Sequence, residues 1–241
     1  VGLFKNKEET PETKTKREYH SKAILPISHS FKSPVLYLAI GLFLLTQCYT
    51  FIILLASQAS GGKQTIYEVV AIASAVILVG LAYALNQKIH KHEWNVPFRL
   101  TVIIQVLFLL FGLILFISAV GQFLPEHSQT NQESISNILN LQPFTMGVYV
   151  AIVAPIIEEM VFREAIPSAF GYSKMSYIVT AIIFTVLHSP AGLIGWLMYG
   201  GLSAIFTFAR IKGGAVKFSI ISHIAWNTMT LMMSLLVLQG G

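Results

Sequence analysis

Aspartate is absent from the 241-residue chain, so every one of its 11 acidic residues is a glutamate. That absence excludes aspartyl intramembrane proteases and any Ser-His-Asp triad. Cysteine occurs once, as Cys48, which excludes an internal disulfide and carries no redox information. No H-E-x-x-H is present, so the usual zinc-protease helix is missing. Charge is scarce, at 11% of residues against roughly 25% in soluble domains. Internal repeats and low-complexity segments are lacking too. What fills the chain is hydrocarbon, with 54% of residues apolar.

About 20 consecutive apolar residues cross a bilayer core as helix. Such runs lie at 34–57, 66–86, 99–121, 144–167, 175–189, 191–209 and 216–238, the fifth being short. The fold class expected is all-α, a polytopic transmembrane bundle of about seven spans. Residues 1–33 form a basic and acidic tail expected to be mostly disordered, and 34–241 form one membrane-embedded domain. The net charge of +5 reads as topology and not as affinity for nucleic acid. With the amino terminus in the cytoplasm, the basic tail, Lys88, Lys91, Arg99, Lys174, Arg210, Lys212 and Lys217 all fall inside. Only Lys63 falls outside, and the loop 122–142 has no lysine or arginine. This asymmetry supports the orientation and an odd number of spans. Small residues stud the sixth run (Gly192, Gly195, Gly200, Gly201, Ser203, Ala204), which suits close helix packing.

Glu158, Glu159 and Arg163 interrupt a stretch otherwise as oily as a bilayer interior. Charge at that depth costs several kcal/mol per group unless paired or facing a wet cavity, so such residues mark functional sites by default. Glu159 and Arg163, spaced i, i+4, share a helix face and pair. Glu158, rotated by about 100°, points elsewhere. Two carboxylates against one arginine leave an acid without a counter-charge, the situation of a group that exchanges protons in catalysis. Later runs add Phe184 with His188, and His223 with Asn227, again at i, i+4. A purely structural ionic network would use the charged trio alone. It would not need two imidazoles and an amide on other spans.

Counting about 1.5 Å per residue puts Glu158 roughly 12 Å, His223 roughly 9 Å and His188 roughly 18 Å from the cytoplasmic ends of their spans. A pocket opening toward the cytoplasmic half is the expectation. A glutamate and a histidine flanking one water can make it a nucleophile, while a second histidine and an asparagine donate to the oxyanion formed at an amide carbon. Peptide hydrolysis fits that set. Gly201-Leu202-Ser203-Ala204 with His223 faintly resembles a serine and histidine dyad, but it leaves the glutamates unused.

Three motifs carry a resemblance to a known family. Glu158-Glu159-Met160-Val161-Phe162-Arg163 resembles E-E-x-x-x-R, Phe184-Thr185-Val186-Leu187-His188 resembles F-x-x-x-H, and His223-Ile224-Ala225-Trp226-Asn227 resembles H-x-x-x-N of the CPBP family. That family holds CAAX prenyl endopeptidases and bacterial proteins linked to bacteriocin processing or self-immunity, the Abi group. The resemblance covers about 144–230, and the first half of the chain adds only hydrophobicity. It implies an intramembrane endopeptidase of glutamate type, with Glu158 and His188 activating water and His223 and Asn227 forming the oxyanion site. Glu159, Arg163 and Phe184 fall on supporting motif positions. No metal or other cofactor is expected, and Glu158, His188 and His223 are the set that would hold zinc if one were bound. The partners expected are the lipid bilayer and a membrane-associated peptide or protein substrate, in a bacterial plasma membrane. The alternative is a non-catalytic immunity factor or scaffold that binds a partner through the same pocket. A proton-coupled transporter is disfavoured by the missing repeats.

Overall fold

The computed structural model describes residues 33–89, 95–124, 129, 133, 137, 139 and 142–240. Apart from Ser33, the expected tail lies outside the described residues. Among these residues there is no strand, and seven long helices follow one another: α1 (Pro34–Gln58), α2 (Gly62–Ile89), α3 (Leu100–Gly121), α4 (Pro143–Ala169), α5 (Lys174–Leu187), α6 (Gly192–Gly213) and α7 (Val216–Gly240). The seven apolar runs are each realised as one helix. Successive helices run in alternating directions, so the bundle has two ends. One end carries the α2–α3, α4–α5 and α6–α7 connections. The other carries α1–α2, α3–α4 and α5–α6.

The helices are apolar on nearly every face, because their surroundings are lipid and not water. Val76, Phe108 and Leu115 stay largely exposed on the outside of the bundle. A helix satisfies all its backbone groups internally, and in hydrocarbon that requirement overrides everything else. Among the described residues, five helices are long and apolar enough to cross a membrane, and α5 is a shorter apolar helix. The chain is an integral membrane protein.

Small residues set the closest approaches. α1 and α2 pack through Ala39, Ala71, Ala75 and Ala82, all buried, into one core with Leu42, Leu78 and the inner face of α4. A second core joins α3, α6 and α7 through Val106, Leu110, Phe206, Ala209 and Phe218. Of the small residues in α6, Gly201 lies against Leu113 of α3, where an added Cβ would come within 2.6 Å of its side chain. α4 is the axis of the molecule, buried more than any other span and touching α1, α2, α5, α6 and α7.

Two features stand out, the first a departure from the reading by sequence and the second the expected short fifth span. Arg210, counted above among the loop charges, lies inside α6 and is only 3% exposed. Its guanidinium meets the carboxylate of Glu164 at 2.7 Å, and the hydroxyl of Tyr172 donates to that same carboxylate. Charge next to a span end was taken as loop charge, but a buried partner on α4 holds it within the bundle. The second feature is α5, whose 14 residues rise about 21 Å, well short of a hydrocarbon core of about 30 Å. It stops at His188. The chain then turns through Ser189, at a left-handed φ of 47°, and Pro190 before α6 begins. Positive φ is costly for a non-glycine residue and tends to occur at functional sites.

Candidate active site

The geometry begins with two prolines. Pro155 and Pro167 each follow a stretch of wide π turns, Tyr149–Val153 and Met160–Ala165, that brackets the glutamate pair in α4. A proline ring clashes with the carbonyl four residues back and supplies no N–H. Widening the turn by one residue relieves the clash, and such π bulges gather at functional sites. In this register the Ala154 N–H donates to the Tyr149 carbonyl, so the next carbonyl, that of Val150, would pair with residue 155. Pro155 has nothing to give it. Asn227 Nδ2 on α7 donates to Val150 O instead, at 2.8 Å. A missing backbone donor on one helix thus orients the amide on another, and the second Nδ2 hydrogen remains for other work. Pro155→Ala would restore the missing N–H and compete for Val150 O. If Asn227 serves as an oxyanion donor, substrate turnover should fall about 10-fold with membrane abundance unchanged, less than the roughly 10²–10³-fold cost of deleting such a donor outright. An unchanged kcat would show that the amide does not depend on this carbonyl.

Between the π stretches one regular α turn, Ala154–Glu159, presents the two acids in different directions. Glu159 is fully buried. Its Oε1 sits 3.3 Å from Arg163 Nη1 and accepts from His223 Nδ1 at 2.8 Å. Arg163, 1% exposed, lies over the Phe184 ring at 4.2 Å and donates from Nη2 to Ser203 Oγ at 3.0 Å. Ser203 itself donates to Ala181 O at 3.3 Å. That hydroxyl braces an arginine and belongs to no serine dyad.

Glu158 faces a cavity of about 310 Å³ and is 23% exposed. Its Oε2 is 3.9 Å from His188 Nε2 and 3.9 Å from His223 Nε2. Both distances are too long for a direct hydrogen bond and of the right size for one bridging water. Ring orientations are fixed from behind. His188 Nδ1 donates to Phe184 O at 2.7 Å, which leaves Nε2 of a neutral ring with its lone pair toward Glu158. The ring is held between Phe184 at 4.3 Å and Tyr199 at 4.8 Å. Phe206 stacks on His223 at 4.4 Å.

Glu158, His188, His223 and Asn227 all line this one cavity, and Glu159, Arg163 and Phe184 support it from beneath. Every residue named from sequence is therefore part of one cluster. Among the described residues, no three histidine, cysteine or acidic side chains form a metal-holding group. Sequence reasoning missed three contributors. Phe43, Gln47 and Thr50 of α1 form part of the wall, so the first half of the chain supplies more than hydrophobicity. Thr50 donates to the Tyr149 hydroxyl at 3.3 Å, fastening α1 to the first π stretch. Their signal was present: Thr46, Gln47 and Thr50 are polar at helical spacing inside an apolar run.

The cavity has a direction. Phe162, Phe184, Phe206 and His223 at its floor are each less than 5% exposed. Met198, Trp226, Thr230, Leu231 and Ser234 higher up are half-buried. The half-buried part of the lining on α7 lies toward the end of the bundle that carries the α3–α4 and α5–α6 connections, while Leu139 and Met146 of the same lining stay buried.

Fold and site together define a polytopic membrane protein with a buried carboxylate and imidazole centre. Residues 140–229 match the family described as type II CAAX prenyl endopeptidase Rce1-like, in keeping with the CPBP resemblance of the three motifs. The UPF0177 protein YaiF of Lactococcus lactis is 28% identical over 163 residues, which are 66% of this chain and 73% of that protein. The "Putative membrane peptidase YdiL" of Bacillus subtilis is 28% identical over 109 residues, 44% of this chain and 43% of its own length. A UPF0177 protein encoded in the abiGi 5' region of Lactococcus lactis subsp. cremoris is 32% identical over 87 residues, 36% of this chain and 37% of its own. No solved structure matches.

Proposed function

We propose that the chain is an intramembrane endopeptidase of glutamate type that hydrolyses a peptide bond in a membrane-associated peptide or protein. One observation carries this reading: the Glu158 carboxylate stands 3.9 Å from two imidazoles at the floor of a single cavity whose wall includes the Asn227 amide. The Rce1-like match and the name of YdiL support it at the level of a membrane protease.

Glu158, aided by Nε2 of His188, takes a proton from water, and the hydroxide attacks the amide carbon. Negative charge gathers on the carbonyl oxygen, where His223 and Asn227 donate hydrogen bonds. Glu158 then returns the proton to the nitrogen of the leaving amine as the C–N bond breaks. Glu159 and Arg163 touch no substrate in this scheme. Glu159 holds His223 by Nδ1, and Arg163 holds Glu159 in turn. The chemistry uses this chain's side chains and water, without a metal or other cofactor.

The test is mass spectrometry of peptides from cells with the wild-type chain and cells with Glu158→Ala. An uncut precursor that appears only in the variant identifies both activity and substrate. Identical peptide profiles, with the variant still inserted and the biological phenotype retained, would favour an immunity factor or scaffold that binds through the pocket without cutting.

A further inference from the structure

The ends of the bundle are unequal. At the end with the basic connections, two buried ion pairs lie between the cavity floor and the surface. Arg163 with Glu159 is one, and Arg210 with Glu164 is the other, each side chain at most 3% exposed. Tyr172 closes over the second pair through its hydroxyl, with its ring 5.6 Å from the Arg210 guanidinium. Phe162, Phe184 and Phe206 complete a dry plug. A peptide cannot reach Glu158 through it without breaking both pairs and leaving buried charge without its partner. Toward the other end the α7 wall passes from buried His223 to half-buried Trp226, Asn227, Thr230 and Ser234, while Leu139 and Met146 of the same lining stay buried.

Lys88, Arg99, Lys174, Lys212 and Lys217 cluster at the plugged end of the bundle, while Lys63 is the one described lysine or arginine at the open end. Cytoplasmic connections carry the excess of lysine and arginine. We infer that, if the site is a peptidase as proposed, its cavity opens to the outer face of the membrane and its substrate is an exported peptide segment arriving from that side. The lining adds a specificity. Phe43, Met146, Met198, Trp226 and Leu231 offer apolar contact, and the wall holds no lysine or arginine. An acidic side chain near the scissile bond would meet Glu158 with no partner, so the residues flanking the cut are apolar and uncharged.

Single cysteines in a Cys48→Ser background test the route. Ser234→Cys and Leu231→Cys report on the mouth, Lys63→Cys on the open end and Lys174→Cys and Lys212→Cys on the plugged end. Each is treated in intact cells and in permeabilised cells with a membrane-impermeant maleimide. Labelling after denaturation verifies that every variant is made and inserted. The expected result is that both mouth positions and Lys63→Cys react in intact cells, while Lys174→Cys and Lys212→Cys react only after permeabilisation. Mouth cysteines that react only after permeabilisation, or in neither state, overturn the inference, as does an inverted pattern at Lys63 and Lys174. A mouth labelled from outside, with no Glu158-dependent precursor in the peptide profiles, would overturn the peptidase reading instead.

Discussion

Glu158→Gln lowers peptide cleavage by about 10²–10⁴-fold, the span that general acid and base catalysis contributes. The amide keeps the shape and volume of the acid, so the 310 Å³ cavity and both imidazoles stay in place. What is lost is the ability to take a proton from water and to hand one to the leaving amine. The loss should fall on kcat and leave KM within a small factor, because Glu158 touches the reacting atoms and not the distant substrate. Steady-state rates of purified protein in detergent or liposomes, on the precursor found by peptide profiling, give the number. A metal chelator should leave the wild-type rate unchanged. A Glu158→Gln variant that cuts within tenfold of wild type would remove the carboxylate from the chemistry.

Arg163→Met has the largest expected effect on stability. It leaves the Glu159 carboxylate fully buried without its guanidinium, and breaking a buried pair from one side costs about 3–5 kcal/mol. It also removes the group packed over Phe184 and hydrogen-bonded to Ser203. Adding Glu159→Gln removes the stranded charge and should recover a large part of the loss, since the penalty comes from the charge left behind. Thermal inactivation midpoints of the two single variants and the double variant in one detergent close the cycle. Additive losses would mean that the pair is not coupled. Recovery of stability in the double variant should not bring recovery of rate, because His223 Nδ1 would then face an amide in place of a carboxylate.

The spans were readable because hydrocarbon admits little but uninterrupted apolar helix, and their bounds fall within a few residues of the helices. The residues of the site were readable for the same reason, since Glu158, Glu159 and Arg163 have no cheap explanation in such a stretch. Where single helices had to be set against one another, sequence ran out. Arg210 looked like a loop charge because its partner Glu164 is 46 positions earlier. Gln47 and Thr50 looked incidental until α1 was seen against α4. Pro155 was in plain view, but its consequence depends on a register shift that only the paired backbone reveals.

The brevity of α5 has a consequence for the connection that follows it. With 14 residues it cannot reach both surfaces, so the turn at Ser189 and Pro190 lies short of one of them. Gln129, from the stretch between α3 and α4, reaches in to meet both backbone groups of Ala191 just beyond that turn, so a helix end stranded at depth is completed by the chain's own amide.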